Sequence, residues 1–268
     1  MSMAAAQISC VLVRPQHPGN IGAAARALRT MGLSRLVLVA PQRFPDAEAH
    51  ALAAGADAVL DAAPVHATLD AALAGCTLAL GLSARRRGVA LEELDPRAAA
   101  QRVHAHAVAG GQVALLFGNE RNGLDNDELA RCHAMVRIPS VADFGSLNLA
   151  QAVQVMAYEL RLQALAEDES SPAADTACAA DDVADAQGEH AEVEPPAGLD
   201  ELEALFAHLW RTLYAIDFHK GRAPHTVERR LRRLLLRAQP SARELRILHG
   251  VLADAERMAA LAADRRTG

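Results

Sequence analysis

A chain of 268 residues with 51% apolar and only 3% aromatic residues has room for one large domain, or a medium and a small one, around an aliphatic core. Its net charge of −6 argues against a nucleic-acid partner until the charges are placed: residues 1–166 balance fourteen of each sign, residues 167–198 hold ten acidic and no basic side chains, and residues 199–268 hold thirteen basic against nine acidic. No apolar run approaches the roughly eighteen residues a membrane span needs, and the opening MSMAAAQIS lacks the regions of a signal peptide, so a cytoplasmic protein is expected.

In chain order, ISCVLVR (8–14) predicts a strand and the stretch after it a helix over about 20–31. RLVLVA (35–40), TLALGLS (77–83), QVALLFG (112–118) and MVRIPS (135–140) predict further strands. Helical patterns fall near 46–55, 68–74, 96–109 and 126–131, followed by a long one over 147–166. Continuous apolar strands separated by helices predict an α/β domain, a parallel sheet covered on both faces. The acidic stretch 167–198 has few large apolar residues and reads as a flexible linker. Beyond it, three helices are predicted at 199–217, 224–238 and 241–263, forming a small all-α domain. Ser241 and Glu244 make a capping box for the last, and Pro240 stops the one before. The predicted domains are 1–166, 167–198 and 199–268.

The four cysteines (Cys10, Cys76, Cys132, Cys178) are scattered and suggest neither a zinc ribbon nor a disulfide framework. His104 and His106 are two apart on a helix and point in different directions, so they read as solvated surface. No metal site is expected.

In a parallel α/β sheet, ligands bind beyond the carboxyl ends of the strands, and three motifs stand there. HPGNIGAAARALRTMG (17–32) follows the first strand. Gly19 allows a tight turn, Asn20 suits an N-cap, and the first-turn amides attract an anion. The stretch is neither GxGxxG nor a P-loop, and strand 35–40 ends in Ala40-Pro41 without the acid that would hold a nucleotide ribose, which disfavours a dinucleotide enzyme. FGNERNGL (117–124) follows the fourth predicted strand; Gly118 and Gly123 let backbone approach a ligand, and Glu120 and Arg121 put both charges at the sheet edge. GSLNLAQAVQVMAYEL (145–160) opens the long helix, with Ser146 as cap, Asn148 in the first turn, and Leu149, Val153, Met156, Ala157 and Leu160 as the core stripe. Further on, VERRLRRLLLRAQ (227–239) sets Arg229, Arg230, Arg232, Arg233 and Arg237 around Leu231, Leu234 and Leu235. Leucines buried on one side would leave a phosphate-binding arginine face on the other; a merely solvated face is the plainer alternative.

Taken together, HPGNIGAAARALRTMGL, LLFGNERNGL and IPSVADFGSLNLAQAVQVMAYE resemble the motifs of the SPOUT class of RNA methyltransferases, within it the TrmH-like 2′-O-ribose methyltransferases. GLSAR (81–85) and RRLRRLLLRAQPSARELRILHGVL are similar to the branch that methylates the ribose of nucleotide 32 in the tRNA anticodon loop. The resemblance implies a SPOUT fold whose α/β domain ends in a deep trefoil knot, a homodimer, and S-adenosyl-L-methionine bound in the knot. It places Leu82, Ser83, Ala84, Gly118, Ile138, Gly145, Ser146 and Leu147 around that cofactor. Arg26, Glu120, Ser146 and Asn148 match catalytic motif positions, and Asn20, Arg26 and Arg121 lie on the RNA side with Arg229, Arg230, Arg232 and Arg233.

A guanidinium is effectively always protonated, so Arg26 is read as holding the phosphate beside the target ribose and stabilising ionisation of its hydroxyl. The RNA phosphate or Ser146 takes the proton. Removing residues 199–268 is expected to weaken tRNA binding and spare the cofactor. The alternatives are a ribose methyltransferase acting elsewhere on tRNA or ribosomal RNA, and a non-catalytic RNA-binding module on the same fold.

Overall fold

The computed structural model describes residues 3–84, 91–141, 145–170, 194–220 and 223–267. Most of the acidic stretch 167–198 lies outside the described residues, as do Arg85 and Cys178. A 3-10 turn, Met3–Gln7, leads into β1 (Ile8–Val13), α1 (Pro18–Thr30), β2 (Arg35–Val39), α2 (Ala47–Ala53), α3 (Asp57–Asp61), β3 (Val65–His66) and α4 (Leu69–Leu73). Then come β4 (Leu78–Leu82), β5 (Glu92–Leu94), α5 (Pro96–Val108), β6 (Val113–Phe117), α6 (Asn126–Leu129), β7 (Ala134–Val136) and α7 (Leu149–Ser170). The last helices are α8 (Leu199–Ala215), α9 (His225–Ala238) and α10 (Ala242–Thr267).

The seven strands form one parallel sheet in the order β3-β2-β1-β6-β4-β7-β5. The short β3, β5 and α3 were not anticipated, and the strand expected at 135–140 ends at Val136. Alternate strand residues divide between two cores, as the period of two requires. Ile8, Cys10, Leu12, Leu78, Leu80, Leu115 and Phe117 face α1, α5 and α7, where the expected stripe of Leu149, Val153, Met156, Ala157 and Leu160 is buried. Val11, Val13, Val37, Ala79, Ala114 and Leu116 belong to a second cluster with Leu69 and Leu73 of α4 and Leu129 of α6.

That second cluster also contains Leu199, Leu202, Leu205 and Phe206 of α8, Leu236 of α9 and Leu245 of α10. The Leu199 N–H donates to the Cys76 carbonyl at 2.8 Å, and the Gly75 N–H to Asp200 Oδ1 at 3.1 Å. Each large side chain so buried contributes on the order of 1.5–3 kcal/mol. Deleting residues 199–268 therefore strips apolar cover from the α/β core, and the clean separation expected of that truncation does not follow. Ser241 and Glu244 do form their reciprocal cap, at 2.7 and 3.3 Å.

The two helical histidines are not solvated surface. His104 is buried with Nε2 2.7 Å from the Glu167 carboxylate of α7, and His106 Nε2 lies 2.7 Å from the Thr77 hydroxyl. A third, His133, accepts the Ala79 N–H at Nδ1, 3.1 Å away, where β4 and β7 meet. Burial pushes its pKa down to about 4, with help from the Arg102 charge. A histidine neutral when folded stabilises fully above its unfolded value near 6.5 and loses that contribution as pH falls toward 4. Unfolding by urea should show about 3 kcal/mol of stability draining away over this window. His133→Gln should flatten that slope; a variant with the wild-type slope would clear His133 of the role.

Candidate active site

Register, more than proximity in sequence, assembles the site. Leu12 of β1 pairs with Phe117 of β6, Phe117 with Leu82 of β4, and Leu82 with Val136 of β7. The four strands thus end level, and the loops that leave them meet beyond one edge of the sheet. Among these loops lies a cleft that opens to solvent.

Leu82, Phe117, Val136, Leu149 and Ala152 give the cleft an apolar floor. Ser83, Ala84, the whole turn Gly118–Gly123, Ile138, Gly145, Ser146 and Leu147 complete its wall. All eight residues expected around a cofactor are here. Among the described lining residues Arg121 is the one cation, beside Glu120.

Three loops are locked together by hydrogen bonds. Glu120 accepts from the Asn20 amide at 2.8 Å and from the Gln16 and His17 N–H groups at 2.8 and 3.1 Å. The Asn20 carbonyl oxygen in turn accepts from the Asn148 amide at 2.9 Å. Burial works to raise the Glu120 pKa, but the Asn20 amide and the two backbone donors outweigh it and hold the carboxyl below its usual range. The anion that meets the start of α1 is therefore the protein's own.

This geometry corrects three expectations. Helix α1 begins at Pro18 with His17 as N-cap and no side-chain cap bond, so Asn20 is a first-turn residue and Gly19 lies inside the helix. Gly22 is needed because a Cβ there would sit 2.0 Å from the Ala49 carbonyl oxygen of α2. At α7 the cap is Asn148, not Ser146. Asn148 Oδ1 accepts from the Ala150 and Gln151 N–H groups at 2.9 and 3.4 Å, and Gln151 Oε1 accepts from the Asn148 N–H at 3.3 Å, a capping box. At Gly118 the close approach is to the chain itself, because a Cβ would lie 2.1 Å from Gly123 C and Leu124 N.

Ser146 is exposed in the cleft wall. Arg26 is exposed on α1, and its guanidinium has no hydrogen bond or ion pair to a described residue. It does not line the cleft: six residues past Asn20, it stands about 120° around the helix and about 9 Å along it. On α9, Arg229, Arg230 and Arg233 are exposed, whereas Arg232 is turned inward. Its guanidinium lies 4.2 Å over the Phe206 ring and forms a two-pronged pair with Glu203, so the expected arginine face loses that member. Leu236 is the buried leucine of this helix, and Leu234 is half exposed.

Two residues had not been singled out. Asn119 Oδ1 accepts from the Arg121 and Asn122 N–H groups at 3.1 and 2.8 Å and shapes the turn; an Asn two residues before Arg in a Gly-flanked run was the available signal. Arg14, at φ 51°, pairs with Glu128 at 2.6 Å and Asp125 at 3.2 Å, bracing the end of β1 against α6.

Glu120→Gln replaces a triple acceptor by a group with a single acceptor oxygen. The variant should melt about 3–8 °C below wild type at pH 7. The depressed carboxylate stabilises above the usual glutamate value and stops doing so as pH falls through its own, so the gap should close in acid. Equal melting at pH 7 would dismiss the network as incidental.

Residues 7–158 match the model of the SpoU rRNA Methylase family, and residues 200–264 that of the tRNA methyltransferase TrmJ, C-terminal domain. The tRNA (cytidine/uridine/adenosine-2′-O-)-methyltransferase TrmJ of Pseudomonas aeruginosa is 46% identical over 263 residues, which cover 94% of this chain and 95% of the relative. The tRNA (cytidine/uridine-2′-O-)-methyltransferase TrmJ of Salmonella typhimurium is 46% identical over 249 residues, covering 93% and 96%. The crystal structure of TrmJ from Z. mobilis ZM4 aligns with a TM-score of 0.76 at 36% identity, over 92% of this chain and 98% of that one.

Proposed function

The chain belongs to the TrmJ family of SpoU methylases, and from that premise we propose that it is a tRNA 2′-O-ribose methyltransferase, dependent on S-adenosyl-L-methionine, that acts in the cytoplasm on cytidine or uridine at nucleotide 32. The observation that carries this reading is the cleft beyond the level strand ends, walled by the loops that follow β4, β6 and β7, with the start of α1 tied to them through Asn20, Glu120 and Asn148. The names of the relatives supply the substrate class. No helix of the described residues is long and apolar enough to cross a membrane.

When bound, S-adenosyl-L-methionine supplies a methyl group already activated on a sulfonium. Leu82, Ser83, Ala84, Gly118, Ile138, Gly145, Ser146 and Leu147 would hold it. The remaining task falls on the acceptor side, where a ribose hydroxyl must be oriented and its developing charge stabilised. Glu120 and Asn148 do this indirectly. Glu120 is a weak base whose oxygens already accept three bonds, and Asn148 is spent on the helix cap and on Asn20. Both are positioning residues, joined through Asn20, which serves the RNA side by fixing the loop before α1. The Arg26 and Ser146 side chains have no partner among the described residues and are assigned to the substrate. Arg26 holds the flanking phosphate, and Ser146 or that phosphate accepts the hydroxyl proton.

We assign residues 1–166 to catalysis, residues 199–268 to tRNA binding through Arg229, Arg230 and Arg233, and 167–198 to a linker. A trefoil knot around the cleft and a homodimer complete the proposal, with Arg121 facing RNA at the mouth. The reaction class is tested by supplying labelled S-adenosyl-L-methionine and unmodified tRNA. Label retained in an alkali-resistant dinucleotide identifies a ribose 2′-O-methyl group; label on a base, or none, rejects the reading.

A further inference from the structure

Eight residues of this chain are Phe, Tyr or Trp, and two of them stand exposed at one helix end. Tyr214 is 60% and Phe218 51% exposed. Between them His219 is 8% exposed, its ring 5.1 Å from that of Tyr214 and 5.7 Å from that of Phe218. His219 Nε2 is buried and has no hydrogen-bond partner among the described residues.

The helix end dictates this display. Asp217 takes a left-handed φ of 52°, the Phe218 N–H donates to the Leu213 carbonyl at 3.0 Å, and the Asp217 N–H to the Tyr214 carbonyl at 3.1 Å. These two bonds make a Schellman motif, which ends α8 sharply. Such a motif ordinarily covers its last apolar residue, but here α8 buries Leu199, Leu202, Leu205, Phe206 and Leu213 on its other face and leaves Phe218 in solvent. The fold does not need these two rings outside.

Their surroundings name an occupant. Lys220 follows, exposed, and α9 starts at His225. Five residues span at most about 18 Å and eight helical residues about 12 Å, so the exposed Arg229, Arg230 and Arg233 stand within about 30 Å of Lys220, a span that a folded RNA stem–loop covers. Aromatic faces beside cations are how proteins take up unpaired bases along a nucleic-acid backbone.

We propose that Tyr214 and Phe218, set about His219, form a stacking platform for unpaired bases of the RNA substrate, so that the C-terminal helices recognise an open loop as well as phosphate charge. The proposal rests on the reading of the chain as a tRNA methyltransferase and adds a subsite to it.

The test uses the full chain and two labelled RNAs of equal length, an anticodon stem–loop and a perfect duplex, with affinities measured by fluorescence anisotropy over a range of salt. Tyr214→Ala/Phe218→Ala should bind the stem–loop roughly 10- to 100-fold more weakly, keep duplex affinity within about twofold, and leave the salt slope unchanged. Phe218→Trp should retain stem–loop affinity where Phe218→Leu loses it. Arg230→Ala/Arg233→Ala should instead weaken both RNAs and reduce the duplex salt slope by about 1.8. Wild-type stem–loop affinity in the double aromatic variant, or equal losses on both RNAs, overturns the platform. So does a lower mass in sedimentation, which would make the patch a contact between copies of the chain. Methyl transfer by the wild type is the separate control: its absence removes the tRNA reading itself, whereas transfer with an unaffected double variant removes the platform alone.

Discussion

Arg26→Lys is expected to slow single-turnover methyl transfer about 100- to 1,000-fold at saturating tRNA, the size of effect seen when one preorganised charge-stabilising donor is lost. The substitution keeps the charge and removes the planar fork that grips two phosphate oxygens at once. Because Arg26 is exposed and bonded to no described side chain, folding should hardly register the change. Melting should stay within about 2 °C of wild type, and S-adenosyl-L-methionine affinity within about twofold, since Arg26 does not line the cleft. Near-full activity in Arg26→Lys would remove the two-pronged role. A joint fall in activity and cofactor affinity would place Arg26 at the cofactor instead.

Gly118→Ala should do comparable damage by the opposite route, through the protein's own backbone. The new Cβ would fall 2.1 Å from Gly123 C and Leu124 N, and no rotamer change moves backbone atoms aside. The turn must open, at the cost of the Gly123 N–H bond to the Asn119 carbonyl, 2.9 Å long, and Glu120 moves with it. A loss of about 2–4 kcal/mol in stability is expected. Cofactor binding by calorimetry should weaken about 30-fold or more, since this turn forms much of the cleft wall. Wild-type cofactor affinity in Gly118→Ala would mean that the turn is not part of the cofactor site.

Both predictions concern motifs legible in the sequence, and the contrast between them shows what sequence carries. β1, β2, β4 and β6 announced themselves as unbroken apolar runs because both faces of the sheet are buried. β5, Glu92-Glu93-Leu94, is a polar edge strand held by backbone pairing to β7, and nothing in its side chains advertises that. Asn20 looked like a cap because its residue type suits one; its actual partners, Glu120 and Asn148, are 100 and 128 positions away. The inward turn of Arg232 had a visible clue, four residues before buried Leu236 on the same helical face. What makes the inside hospitable to it, the Phe206 ring and the Glu203 carboxylate, comes from another helix. The cleft residues were legible through family resemblance; the level strand ends that gather them are a property of register, which no single segment contains.

The central claim is methylation of one ribose, and mapping the modified nucleotide tests it most directly. Unmodified tRNA incubated with the full-length protein and S-adenosyl-L-methionine, then digested and sequenced by mass spectrometry, should carry one added methyl group on the ribose of nucleotide 32. A methyl group on a base, or on the ribose of a different nucleotide, would contradict the account.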